Sequence, residues 1–179
     1  MKGKIVLNLA MSLDGYIASE DGGFDWIVGD GSSSLNTEVG HNYPKFLENI
    51  DIVVMGRHCY DQGFATDFPA KQVVVVTSEE RESEDNVYFI HDNILNTIKN
   101  EKRKGKNIYL FGGGILIDTF VKANAIDEYI IGIIPIILGK GRSLFLEDNP
   151  TILLHLQKYE IEDGIPLLHY TRRRYSKNV

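Results

Sequence analysis

Apolar residues along the chain fall into short continuous runs separated by polar, glycine-rich stretches. Ile5 to Met11, Ile52 to Met55, Val73 to Thr77, Val87 to Ile90 and Ile108 to Phe111 are such runs. Runs of this length, bounded by charged or turn-forming residues, predict strands buried on both faces. Between them the spacing becomes helical. Residues 36–49 read as a helix that Pro44 divides or delays. Asp92 is placed to cap a helix carrying Ile94, Leu95 and Ile98, which ends in Lys102-Arg103-Lys104 and is closed by Gly105. Gly112-Gly113-Gly114 leads into a helix whose apolar stripe is Ile115, Leu116, Phe120 and Val121. After that the pattern changes to longer strands, Glu128 to Leu138, Ile152 to Ile161 and Leu167 to Tyr175. The prediction is an α/β fold in one domain over residues 1–179: a central, mostly parallel sheet flanked by helices and finished by antiparallel strands.

Composition narrows the function classes. The 179 residues are 43% hydrophobic and 25% charged, which is enough for one substantial core. Nineteen Lys and Arg against 25 Asp and Glu leave a net charge of −6, which argues against general nucleic-acid binding. The dense basic run Arg172-Arg173-Arg174 falls in a terminal strand or tail. Cys59 stands alone, so neither an intrachain disulfide nor a cysteine-based metal site is available, and a reducing, cytoplasmic setting is expected. The amino-terminal apolar run is broken by Asn8, Ser12 and Asp14, unlike a signal peptide. The longest apolar stretch, Tyr129 to Leu138, holds Gly132 and Pro135 and is too short to span a membrane.

Three strand ends carry candidate chemistry. Phe111-Gly112-Gly113-Gly114-Ile115-Leu116 joins a strand to a helix. Glycines there admit close approach of a ligand, and the helix start offers free N–H groups suited to phosphate; a tight turn requiring positive φ is the alternative. Gly56-Arg57-His58-Cys59 follows another strand, where Arg57 offers a charged fork to an anion or is a solvated loop residue. Thr77-Ser78 ends a third, where the hydroxyls bind phosphate or cap a turn. Ligands of open α/β sheets gather at such strand ends, so the three could converge on one elongated ligand.

Taken in order, AMSLDGYIA (10–18), VMGRHCY (54–60), VVTS (75–78), LFGGGIL (110–116) and IDEYIIGIIPIILGKGRSLF (126–145) resemble the dihydrofolate reductase superfamily. The SLDG and the DEY to LF segments resemble the riboflavin-biosynthesis reductase branch; GRHCY is closer to dihydrofolate reductase itself. The resemblance implies an NADPH-dependent reductase and a homodimer. It implies that Ala10 and Ile17 hold the nicotinamide carboxamide through their backbone. Gly56, Arg57, His58 and Cys59 take the pyrophosphate and adenosine side. Thr77 and Ser78, with Arg57, read the 2′-phosphate, and Gly112, Gly113, Gly114, Ile115 and Leu116 cradle the pyrophosphate. Ile115 departs from the polar or basic residue common there in dihydrofolate reductases.

The substrate side is less marked. Asn8 is polar within an apolar run, on the same alternating face as Ala10, and is either a substrate contact or a structural hydrogen bonder. Trp26, in a loop read as a lid, and Phe111 are further substrate-pocket candidates. Dihydrofolate reductases carry a carboxylate on the first helix; the matching position here falls near Gly40, so Glu38 is the nearest acid and His41 is close by. Glu38 and Asp14 are the catalytic candidates, although Asp14-Gly15 is equally a turn signal. The implied reaction is hydride transfer to a C=N carbon of a heterocycle, such as a ribosylaminopyrimidine phosphate, with Lys140 and Arg142 as candidates for the substrate phosphate. A pterin substrate and a non-catalytic nucleotide-binding module are the alternatives. No deaminase segment accompanies this domain, so the bifunctional enzyme is not expected.

Overall fold

The computed structural model describes residues 3–173. Its main feature is an eight-stranded sheet. In chain order the strands are β1 (Ile5–Ser12), β3 (Ile52–Gly56), β4 (Gln72–Val76), β5 (Val87–Ile90), β6 (Ile108–Gly112), β7 (Glu128–Ile134), β9 (Leu154–Glu162) and β10 (Ile165–Arg172). They lie in the order β5-β4-β3-β6-β1-β7-β10-β9. The first six of that order run parallel, and β10 pairs antiparallel with both β7 and β9. A separate ribbon joins β2 (Tyr16–Ala18) to β8 (Arg142–Ser143). This is the expected parallel block closed by antiparallel strands.

Strand alternation splits the core into two layers. Ile52 and Val54 face one layer with Ile5, Leu7, Ile108 and Leu110, covered by Ile98 of α3 (Ile94–Arg103) and by Leu116, Ile117, Phe120 and Val121 of α4 (Gly114–Lys122). Val53 and Met55 face the other layer with Val73, Val75 and Tyr109, against Phe46, Leu47, Phe64 and Phe68. Strands buried on both sides therefore read as unbroken apolar runs, which is why β3, β4 and β6 are plain in the sequence.

Several local expectations are corrected. The helix expected over 36–49 reduces to α1 (Tyr43–Glu48), because Pro44 fits only the first turn, where its missing N–H costs nothing. Asn42 caps α1, its side chain accepting from the Lys45 N–H at 2.9 Å. Asn42→Ala is expected to lower stability by about 1 kcal/mol, checked by urea unfolding. Helix α3 is preceded by Asn93 in the left-handed region (φ 49°), so Asp92 is not its cap. In α4 the buried stripe includes Ile117, whereas Ile115 is 81% exposed. Strand β7 stops at Ile134, ahead of Pro135. The end of the strand expected to reach Tyr175, and Arg174 with it, lies outside the described residues. The β2–β8 ribbon, α2 (Arg57–Asp61) and the 3₁₀ turn Phe64–Asp67 were not expected. Among the described residues no helix is long and apolar enough to cross a membrane.

Candidate active site

The carboxyl ends of β3, β4 and β6 do converge. They border a cavity of about 1010 Å³, lined by Gly56–Cys59 from β3 and α2, Val76–Ser78 from β4, and Gly113–Leu116 from the turn into α4. His91, Ile94, Thr119, Gly141–Ser143 and Leu146 complete the wall. This size lies at the upper end of small-molecule pockets, which span about 300–1,000 Å³.

Two helices begin at this wall without a side-chain cap, α2 after Gly56 and α4 after Gly113. At the nine-residue α4 the first N–H groups have no partner within the helix and the helix dipole is positive there. Gly113 has φ 96°, and a Cβ on it would stand 3.6 Å from the Cα of Gly56. Glycine is thus needed at Gly113 for its dihedral, while a Cβ there would only touch the neighbouring turn. Gly113→Ala is expected to cost about 1–3 kcal/mol by forcing a side chain into that dihedral, read as a fall in urea midpoint.

Arg57 does not stand free. Its guanidinium pairs with Glu79 and lies 3.4 Å from Asp61, while Arg81 pairs with Glu79 at 3.0 Å and with Asp61 at 3.8 Å. The Arg81 hydrogen bond, with the charge of Arg57, holds the Glu79 carboxyl below the usual carboxylate range. Arg81 also lies 5.8 Å over the Phe89 ring. Thr77 is buried; its N–H bonds the Ile90 carbonyl at 3.0 Å and its hydroxyl accepts from the Glu79 N–H at 3.1 Å, so it shapes the turn that brings Glu79 to Arg57. Ser78 is exposed at the rim. Cys59 lines the wall half-buried, and burial pushes its thiol up, so it is not an activated nucleophile.

The remaining candidates divide. Gly112 is buried behind the wall, where a Cβ would meet the Cys59 sulfur at 3.5 Å. Ala10 and Ile17 lie outside the cavity lining, although a Cβ on Gly114 would come 3.9 Å from Ile17 Cδ1. Arg142, read as a substrate-phosphate candidate, lines this cavity, with Nη2 3.4 Å from the Glu20 carbonyl. Lys140 pairs with Glu20 at 2.7 Å on the exposed surface. Gly141 sits where any Cβ would collide with the Ala18 carbonyl oxygen, which ties the β8 turn to β2. His91, Ile94 and Thr119 carried no sequence motif; only the packing of β5, α3 and α4 brings them here.

Asp14 is corrected from a catalytic candidate to a structural one. It accepts from the Ser12 hydroxyl at 2.6 Å and from the backbone N–H groups of Leu138 and Gly139 at 3.1 and 2.8 Å. The Ser12 hydroxyl, helped by those N–H groups, holds its carboxyl below the ordinary range. A folded-state value below the unfolded one stabilises the fold at neutral pH, and that contribution is lost as pH falls through the lowered value. Asp14→Asn is therefore expected to flatten the acid side of the stability–pH profile, measured by thermal unfolding between pH 7 and about 3. Glu38 is also corrected: it is exposed on the irregular stretch before α1, away from the cavity, because the helix that would have presented it does not form.

On the other face of the sheet, Asn8 is buried at 6% exposure and its side-chain Nδ2 has no hydrogen-bond partner among the described residues. The Tyr109 hydroxyl donates to the Asn8 carbonyl at 2.9 Å. Tyr109 opens an aromatic wall that runs through Phe111 and Phe64 to Phe24, with ring centres 5.2–5.6 Å apart. Trp26 is half-buried in the same loop as Phe24, its indole N–H donating to Gly23 at 3.3 Å.

Comparison with known proteins places this geometry. Residues 3–169 match the family model of the RibD C-terminal domain. The chain belongs to that family. It is 34% identical to the uncharacterized protein YwjB of Bacillus subtilis, over 96% of this chain and 99% of that one. The crystal structure of a putative riboflavin biosynthesis protein from Shewanella sp. PV-4 superposes with a TM-score of 0.81 at 30% identity, covering 96% and 99% of the two chains. The fold is shared with the Thermotoga maritima diaminohydroxyphosphoribosylaminopyrimidine deaminase/5-amino-6-(5-phosphoribosylamino)uracil reductase, at a TM-score of 0.67 and 17% identity over 96% of this chain and 57% of that one. It is shared too with Enterococcus faecalis dihydrofolate reductase, solved with NADP(H), at 0.61 and 16% over 97% and 99%. The dihydrofolate reductase-like fold read from the ordered motifs is the fold observed.

Proposed function

We propose that this RibD C-terminal domain protein is an NADPH-dependent reductase that delivers hydride to a C=N carbon of a heterocyclic substrate of the ribosylaminopyrimidine class. The observation that carries the reading is the single cavity into which three strand ends bring two uncapped helix starts and an arginine cluster. The wall suits a dinucleotide: Gly56 and Gly113 put no side chain between the two turns, and the start of α4 offers N–H groups without partners in the helix to a pyrophosphate. Gly113, Gly114, Ile115 and Leu116 would hold that pyrophosphate, and Arg57 with Thr77 and Ser78 the 2′-phosphate. Ala10 and Ile17, at the end of β1 and on β2, would approach the carboxamide through their backbone. When bound, NADPH supplies the hydride. The chain's own part is alignment and exclusion of water.

The aromatic wall of Phe111, Phe64 and Phe24 offers a stacking surface for a planar heterocycle. Beside it, the unpaired Asn8 amide offers a donor to a ring carbonyl. A pterin is disfavoured as substrate because α1 presents no buried carboxylate; its acid, Glu48, is exposed. NADPH fluorescence titration, followed by oxidation assays with aminopyrimidine ribotides and pterins, tests the reading. Binding followed by turnover of a ribotide supports it. No NADPH binding at millimolar concentration overturns it, and turnover of pterins alone moves the assignment to dihydrofolate reductase activity.

We infer further that the protein is a homodimer. Strand β9 is a sheet edge, and Leu156 and Tyr159 on it are 44% and 59% exposed. An unprotected edge with apolar side chains invites pairing with a second copy. Sedimentation should give twice the 20.2 kDa chain mass; a monomer would refute the inference.

A further inference from the structure

Away from the cofactor cavity, a loop and the carboxyl-terminal hairpin bring together three groups that carry lone pairs. The loop is laid along the hairpin by two backbone bonds and one from backbone to side chain. Asp30 N–H donates to the Asp163 carbonyl at 3.0 Å, Thr37 N–H to the Ile161 carbonyl at 2.9 Å, and Asp163 N–H to Asn36 Oδ1 at 3.0 Å. His41, next along the loop, is thereby set over the sheet face. Glu160 on β9 and His169 on β10 rise from the same face, since Leu167, two residues before His169, is paired with Glu160. A register shift in the β9–β10 pairing falls directly after His169.

The Glu160 Oε2 atom lies 2.8 Å from His169 Nε2 and 3.5 Å from His41 Nδ1. One ligand-type atom from each of the three residues lies within 4.8 Å of the others. Glu160 is buried at 7% exposure, and the side chains of His169 and His41 are 13% and 23% exposed. The arrangement is incomplete as a hydrogen-bonded network. His41 makes no hydrogen bond among the described residues, and its Nε2 is shut off from solvent without a partner. A buried imidazole is rarely left this way, and the ring's other nitrogen, Nδ1, is the one that faces the carboxylate–histidine pair.

We propose that His41, Glu160 and His169 bind a divalent transition-metal ion, one ligand atom from each. Two imidazoles and a carboxylate suit zinc and its neighbours in the first transition row rather than calcium or magnesium. Ligand distances of about 2.0–2.2 Å set neighbouring ligand atoms roughly 3.3 Å apart, so the Glu160–His169 pair, now at 2.8 Å, opens slightly and the His41 arm closes in. The ion takes the place of the proton between Glu160 and His169, which then sits on His169 Nδ1. Lys158, whose ammonium is 3.0 Å from Glu160 Oε1, holds the second carboxylate oxygen, as outer partners of metal ligands do. Three protein ligands leave a position open for water. Asn8, Ile130 and His169 are paired across one row of the sheet, so the ion would lie on the Asn8 face, two strands away.

The test is direct binding to the chelator-stripped protein, with Zn²⁺ followed by calorimetry and Co²⁺ by visible absorption. One equivalent is expected, with affinity reduced at least about 100-fold in both Glu160→Gln and His41→Ala. Absence of saturable binding below millimolar metal, or binding unchanged in either folded variant, overturns the proposal. A measurement on the unaltered protein guards against variants that do not fold. On Zn²⁺ addition the imidazole ¹⁵N resonances of His41 and His169 should move, while those of His58, His91 and His155 stay. The reverse pattern assigns the metal elsewhere and also overturns the proposal.

Discussion

Arg57→Ala is expected to weaken NADPH binding by about 10- to 100-fold, the worth of one or two charge-assisted hydrogen bonds, while leaving NADH binding close to its original value. The two cofactors differ only by the 2′-phosphate, so the difference isolates the role assigned to this guanidinium. The paired acids sharpen the expectation. Glu79 occupies Arg57 and Arg81 together, and a phosphate reaching either must displace it or share the pair. Glu79→Gln should therefore strengthen NADPH binding, since it removes a negative charge from the phosphate's path and frees a donor fork. Fluorescence titration of both cofactors against both variants decides the matter. Equal losses for NADPH and NADH in Arg57→Ala would move Arg57 from the 2′-phosphate to the pyrophosphate, and no loss would remove it from the site.

Phe120→Ala is expected to cost about 3–5 kcal/mol of stability. Phe120 is a fully buried residue of α4, in the layer that also holds Ile5, Leu7, Ile108 and Leu110. Truncation removes the largest side chain that fixes α4 against the sheet, and two neighbouring strands cannot move in to fill the space. For a chain of this size the loss corresponds to a fall in Tm of about 6–20 °C. The same helix offers its start to the cavity, so dinucleotide affinity should fall with it as α4 loosens. An unfolding free energy in urea within about 1 kcal/mol of the parent would mean that α4 is not anchored through this residue.

How much of this was legible depended on what each feature is made of. Strands β3, β4 and β6 are buried on both faces, and a strand in that setting has to be apolar throughout, so both its position and its parallel pairing were readable. The glycine turn and Arg57 could be read because phosphate chemistry calls for those residue types at strand ends. Arg57's partnership with Glu79 could not, since it depends on the turn that Thr77 builds after β4. The β2–β8 ribbon joins three residues to two across more than a hundred positions, too short to show any periodicity. Pro44 was visible, but its effect on Glu38 was not. Losing the first half of one helix turned a candidate acid into a surface residue. The His41–Glu160–His169 cluster was hidden because Glu160 sits in a strand whose other residues are mostly exposed. The alternation of Glu160 and His169 on a predicted hairpin was the available signal.

Strand β1 lies between β6 and β7, whose residues come more than a hundred positions later, as in the pairing of Ile5 with Ile108. Within the eight-stranded sheet, β1 is therefore the strand that waits longest for its neighbours. At about 5–20 residues per second, roughly 5–20 s pass between synthesis of β1 and of its first partner. During that time a largely apolar segment has both edges open, which makes it the place where a nascent chain of this protein would most need shielding.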